Sequence, residues 1–284
     1  MKHALSTRCI ASHRLTTSWL EKIWDAEIPA VELFYSRQHL DYRDSAHIAD
    51  LGHWFRDSPL KVCSVQSPTS TGPAMPVSIT ETVKAKRIQA VDEIKRALDI
   101  VEVIPFAYFV QHMGVEADDF DQHKLDAAFT SLDELGIFAR QRGVELLLEN
   151  GLNALSSGER LEYFNRITHL NIKYCFDTGN AHHGIGVEPE LDIMKSRIRL
   201  VHVHDNNGKA RFTGREAAHD LPFTGTIQWR KTMHLLRNSV PDSTLVMELA
   251  EKPDVEKPLD NVRRAFERLE NLKPIDDQEE EHEH

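Results

Sequence analysis

Short apolar runs alternate with longer amphipathic stretches from one end of the chain to the other. Residues 4–9, 30–34, 60–65, 107–111, 144–149 and 244–249 read as strands, with two more inside 172–208. The stretches between them read as helices. Residues 16–26 set Trp19, Leu20, Ile23 and Trp24 on one face, and 80–98 do the same with Val83, Ile88, Val91, Ile94 and Leu98. Further helices are expected over 45–56, 121–141, 158–169, 228–237 and 255–272, with a short one over 188–195. The longest irregular segment is 67–76, rich in Pro, Ser, Thr and Gly.

Eight strand–helix alternations in 284 residues predict a single (β/α)8 barrel of the TIM type, a fold that usually takes about 250 residues. The rival, a doubly wound sheet, wants a glycine-rich turn after its first strand, and residues 6–13 contain no glycine. No linker divides the chain. The barrel is expected over 1–273, and 274–284 as an acidic disordered tail.

Charge narrows the partners. Lys plus Arg number 34 against 45 Asp plus Glu, a formal net charge of −11. Six of those acids fall in 276–284, where there is no Lys or Arg, so residues 1–275 carry −5. A protein that wraps nucleic acid nonspecifically needs a basic surface, so nucleic acid is not expected as a partner. The first ten residues have no apolar signal core, and the longest apolar run, 103–110, is far shorter than a membrane span. Cys9, Cys63 and Cys175 are odd in number and sit in expected strands, which suits buried thiols in a reducing cytoplasm. A homo-oligomer is compatible with all of this.

The chemistry gathers at strand ends. Leu147 and Glu149 share one face of their strand, as do Cys175 and Asp177, Leu200 and His202, and Val246 and Glu248. If those faces point into the barrel, Glu149, Asp177, His202 and Glu248 converge at one mouth. Three carboxylates and an imidazole suit one divalent cation such as Mn²⁺, Mg²⁺, Co²⁺ or Zn²⁺. The acids would repel one another without it. His204 lies on the same face as His202 and is the alternative nitrogen ligand. A single strand-end Glu is more often a solvated rim residue; the pattern over four strands is what points to a metal.

These residues carry a family resemblance. Val31-Glu32-Leu33, Leu148-Glu149-Asn150, Phe176-Asp177-Thr178-Gly179 and His202-Val203-His204-Asp205-Asn206 are its main segments. His219-Asp220-Leu221-Pro222, Gly225-Thr226-Ile227-Gln228-Trp229 and Met247-Glu248 complete it. Over about 4–270 the chain resembles the xylose isomerase-like TIM barrels, the superfamily of sugar phosphate isomerases and epimerases and of endonuclease IV. The resemblance implies that Glu149, Asp177, His202 and Glu248 hold a single metal. It also implies that Glu149 and Glu248 double as the proton-transferring pair. The departures bear on the subfamily. Endonuclease IV-type enzymes have His at the positions of Gln66, His112 and Asn180, and an Asp-x-His pair where this chain has Ala217-Ala218-His219. Only His112 and His219 survive, so the two extra zinc sites are expected to be dismantled.

The implied activity is isomerisation or epimerisation of a sugar, sugar phosphate or related polyol, by proton transfer through a metal-stabilised enediolate. His112, His182 and His219 are candidate binders of substrate hydroxyls. Glu32 is expected to orient substrate, with closing the barrel floor as the alternative, and Arg211, beside Lys209, is a candidate to meet a phosphate or carboxylate, with a solvated loop charge as the commoner role. Two other readings stay open: a dehydratase of an inosose-like keto-polyol, and a non-catalytic sugar-binding barrel. Endonuclease IV-like repair is disfavoured.

Overall fold

The period-two alternation of the strands sorts their side chains into two cores. In the computed structural model, which describes residues 1–72, 75–115, 118–208, 218–252 and 258–275, eight parallel strands close into a barrel in sequence order. They are β1 (Lys2–Ser6), β2 (Ala30–Leu33), β3 (Lys61–Gln66), β4 (Tyr108–His112), β5 (Glu145–Glu149), β6 (Lys173–Asp177), β7 (Ile198–Val203) and β8 (Thr244–Met247). Their inward positions Ala4, Val110, Leu147, Cys175, Leu200 and Val246 form one buried cluster. Their outward positions, among them Leu5, Val31, Phe109, Leu148, Phe176 and Met247, join a larger cluster with the surrounding helices. Both faces are buried, as a parallel barrel requires.

The helices are α1 (Thr17–Asp25), α2 (Ser45–Asp57), α3 (Lys84–Leu98), α4 (Gln122–Gln141), α5 (Gly158–Thr168), α6 (Thr178–His183), α7 (Val187–Met194), α8 (Trp229–Ser239) and α9 (Pro258–Glu270). Several starts are written locally. Asp44 accepts a hydrogen bond from the His47 amide (3.0 Å) and Asp121 from the His123 amide (2.8 Å). Each satisfies a donor that the first turn leaves orphaned.

Three local expectations change. The first strand stops at Ser6, and Thr7–Ile10 turns into a 3₁₀ helix carrying Cys9. Thr7 Oγ1 accepts from the Phe34 amide (3.0 Å), so a side chain takes the place of the next ladder bond. Helix α3 starts at Lys84 rather than at 80, because Thr80 Oγ1 is committed to Asp118 Oδ2 (2.9 Å). Residues 178–183, read as loop, form α6, started by Asp177. The three cysteines are free thiols, and burial pushes those of Cys9 and Cys63 up to about 12. Among the described residues no helix is long and apolar enough to cross a membrane. The tail residues 276–284 lie outside the described residues.

Candidate metal centre

The ends of β5 and β6, the last positions of β7 and the residue after β8 deliver Glu149, Asp177, His202 and Glu248 to the carboxyl mouth of the barrel. One ligand atom from each lies within 4.8 Å of the others, and all four residues are buried. Asp177, His204, His219 and Glu248 form a second, overlapping set within the same limit. Both histidines of β7 and its exit therefore reach the centre, from different sides.

Each carboxylate is aimed by its surroundings. Asp177 caps α6: its Oδ1 accepts from the Asn180 amide (2.6 Å), and its Oδ2 lies 2.9 Å from His204 Nε2. The Asn150 side chain clamps the Asp177 backbone, donating to its carbonyl (3.0 Å) and accepting from its amide (2.7 Å). Glu149 Oε1 lies 2.9 Å from His202 Nδ1, and its Oε2 lies 3.0 Å from His112 Nε2. Glu248 Oε1 accepts from Gln66 Nε2 (2.8 Å) and Arg8 Nη1 (3.1 Å), while its Oε2 faces His202 Nδ1 at 3.2 Å.

The donor set fits a divalent cation. Glu32, Glu149, Asp177 and Glu248 are each at most 3% exposed, and an uncompensated buried charge costs several kcal/mol. Glu149 Oε2 and Glu248 Oε2 are both buried without a well-formed hydrogen bond. Such atoms call for an ion or another partner. Imidazoles supply the balancing charge in the protein alone. Burial would push the Glu149 carboxyl up, yet the facing His202 and His112 hold it below the usual carboxylate range. Burial likewise opposes the charge of Glu248, and His202, His219 and Arg8 keep it well below that range. Burial would lower His204; Asp177 reverses this and raises it.

A cavity of about 400 Å³ opens on the centre, lined in part by Arg8, Ser67, His112, Glu149, Asn180, His219 and Glu248. That is room for one small polar ligand. His219 is held over the centre by its loop. Asp205 accepts from the Phe223 and Ile227 amides and from Trp229 Nε1, and His219 stacks on His204 with ring centroids 3.9 Å apart.

Of the expected substrate contacts, His112 and His219 line this cavity and two others do not. His182 turns away, its Nε2 2.8 Å from Thr226 Oγ1, and borders a separate cavity with Gly186 and Gln228. Glu32 is fully buried beneath the centre, bonded to Ser64 and His202, and does not border the cavity. Its inward position is too deep in the barrel to reach a substrate. Arg211 lies outside the described residues. Arg8, Gln66 and Asn150, which the strand pattern does not assign to the centre, hydrogen-bond Glu248 and Asp177 there. Arg8 shares the parity of Ala4 and Ser6, a signal that continues the inner face of β1 one step past its end.

The family described as "Xylose isomerase-like TIM barrel" matches residues 20–272. A D-tagatose 3-epimerase-like protein superposes with a TM-score of 0.75 at 21% identity, over 95% of this chain and 98% of that one. D-psicose 3-epimerase from Clostridium cellulolyticum H10 gives 0.75 at 14% identity, over 97% and 100%. The IOLI protein with a bound zinc atom gives 0.74 at 15%, over 95% and 96%. No curated protein matches the sequence significantly.

Proposed function

The chain belongs to the xylose isomerase-like TIM barrel family, and from there we propose that it is a divalent-metal-dependent isomerase or epimerase of a sugar, sugar phosphate or related polyol. The observation that carries this reading is the meeting of Glu149, at the end of β5, and Glu248, just after β8, with Asp177 and His202 around one point. Two carboxylates flanking a small cavity can remove a proton beside a carbonyl and return it, on the same or the adjacent carbon.

Glu149, Asp177, Glu248 and His202 would hold the ion, with His204 as the alternative nitrogen ligand. When bound, the ion polarises a carbonyl and offsets the negative charge that develops on oxygen. The donors are oxygen and imidazole nitrogen, a set suited to Mn²⁺, Mg²⁺, Co²⁺ or Zn²⁺; the zinc in one structural relative agrees with this. The rest falls to the chain. Gln66 and Arg8 fix one oxygen of Glu248 and leave the other for the centre. His112 and His219, on the cavity wall, are placed to bind substrate hydroxyls. The epimerases among the structural relatives support this class of reaction and do not select a substrate.

The test is solvent exchange. Metal-loaded protein in deuterated water, screened by NMR against a panel of ketoses and inososes, is expected to place deuterium on the carbon next to a carbonyl. No exchange with any member, from protein shown to hold one ion, would favour the non-catalytic sugar-binding reading. Metal analysis of His202→Ala and His204→Ala separates the two nitrogen ligands.

A further inference from the structure

Glu32 is a carboxylate sealed inside the barrel, at 0% exposure, where the reaction has no direct use for it. Its Oε2 accepts from Ser64 Oγ at 2.8 Å and lies 3.1 Å from His202 Nε2. Its Oε1 has no hydrogen-bond partner, and neither does Ser6 Oγ on the paired position of β1. An ordinary core would not keep such a group. Replacing a whole buried ion pair by well-packed apolar residues is often neutral or stabilising, so core stability alone gives no reason to keep the Glu32–His202 pair.

We infer that Glu32 is a positioning residue: it fixes the ring of His202 so that Nδ1, and not Nε2, is presented to the metal centre. Carboxylate oxygens only accept, so His202 Nε2 must carry the hydrogen that it shares with Glu32. With Nε2 occupied by Glu32, Nδ1 is the nitrogen left for the centre, where an arriving ion would take the place of the hydrogen that Nδ1 directs at the glutamates. It is also the atom that faces Glu149 Oε1 at 2.9 Å and Glu248 Oε2 at 3.2 Å. Ser64, donating to the same Glu32 oxygen, tethers the carboxylate beneath the ring. The chain of contact runs from β3 through β2 to β7 and ends on both glutamates of the centre. This inference rests on the proposed function only in taking His202 as a ligand. Partners of this kind are usually worth about 10- to 100-fold in metal affinity.

Titration of Mn²⁺ into the metal-free full chain, wild type and Glu32→Gln, tests it. The variant is expected to bind Mn²⁺ about 10- to 100-fold more weakly. The thermal midpoint of its metal-free form should stay near that of wild type, because Gln still offers an acceptor to His202 and His202 keeps Glu149 and Glu248 as counter-charges; a merely structural residue would lower that midpoint instead. Affinity within twofold of wild type overturns the inference, and so does a weakening that comes with a less stable metal-free protein. Should Glu32→Gln fail to fold, Ser64→Ala takes its place, with binding roughly three- to tenfold weaker for the lost hydrogen bond; unchanged binding there overturns the inference equally. A wild type that binds no Mn²⁺ would sink the metal reading itself, which this design shows separately from the variants.

Discussion

A β-carbon added to Gly179 would lie 2.0 Å from Cε1 of His204. The glycine of the Asp177-Thr178-Gly179 segment is therefore the floor on which the His204 ring rests, and that ring is fully buried against Asp177. Gly179 sits within α6, where Gly→Ala would ordinarily gain up to about 1 kcal/mol of helix propensity. Here the sign should reverse. Gly179→Ala is expected to lower stability by about 1–3 kcal/mol through overpacking and to weaken divalent-ion binding by moving His204 off Asp177. Chemical denaturation of the metal-free variant checks the first part and metal titration the second. A stabilised variant would mean that the ring can slide away without loss.

The barrel and the convergence of four strand-end side chains could be read from the chain because both depend on local patterns. Leu147, Cys175, Leu200 and Val246 share a face with Glu149, Asp177, His202 and Glu248, and the four apolar residues lie in the inner cluster of the barrel. What period two does not encode is depth. Glu32 and Glu149 are both inward acids on short strands, yet one lies under the centre and the other borders the cavity. That difference comes from the stagger of strands around the barrel, which no single strand reports. His182 departs from the expected position for another reason: a residue two positions past Asn180 faces elsewhere once 178–183 coil into a helix. Arg8 falls in the 3₁₀ turn that ends β1 at Ser6, three residues before the apolar run ends at Cys9.

Two amides bear on nucleic acid. Gln66 donates to Glu248 Oε1 (2.8 Å) and Asn180 Nδ2 to the Asn150 carbonyl (3.0 Å). The positions that resemble zinc-binding histidines of endonuclease IV-type enzymes are thus spent on hydrogen bonds within the protein. With −11 overall, binding to duplex DNA bearing an abasic site is expected to be no tighter than to intact duplex, and weak at physiological salt. Gel-shift and incision assays on metal-loaded protein check this; robust incision would reverse the assignment.

Ligation and proton transfer can be separated by rescue. Glu149→Gln and Glu248→Gln each keep a ligand oxygen and lose the base, so metal occupancy should fall partly while turnover drops by about 10²–10⁴. Asp177→Asn should lose activity in proportion to lost metal, and excess Mn²⁺ should restore part of it. Metal titration of each variant, followed by the exchange assay, distinguishes them. If excess metal rescues the two Gln variants as well as Asp177→Asn, neither glutamate carries a proton.

Far from the centre, Glu93 of α3 ties the helix to the loop after β2. Its Oε2 accepts from Tyr42 OH at 2.5 Å and pairs with Arg43, while its Oε1 accepts from Arg96 Nη1 at 2.8 Å. Burial would raise the Glu93 carboxyl; Tyr42 and Arg43 overcome this and hold it below the ordinary value. A carboxyl depressed in the folded state adds stability above its unfolded value, about 4.3 for Glu. That stability disappears as the pH falls through the folded value. Glu93→Gln, which keeps the shape and loses the charge, is expected to cost about 2 kcal/mol at pH 7. The gap between wild type and variant should be undiminished at pH 6 and should close as the pH drops below about 4. Urea denaturation of both proteins across that range measures it. A gap that stays constant down to the acid limit would show that Glu93 holds α3 by its hydrogen bonds, without its charge.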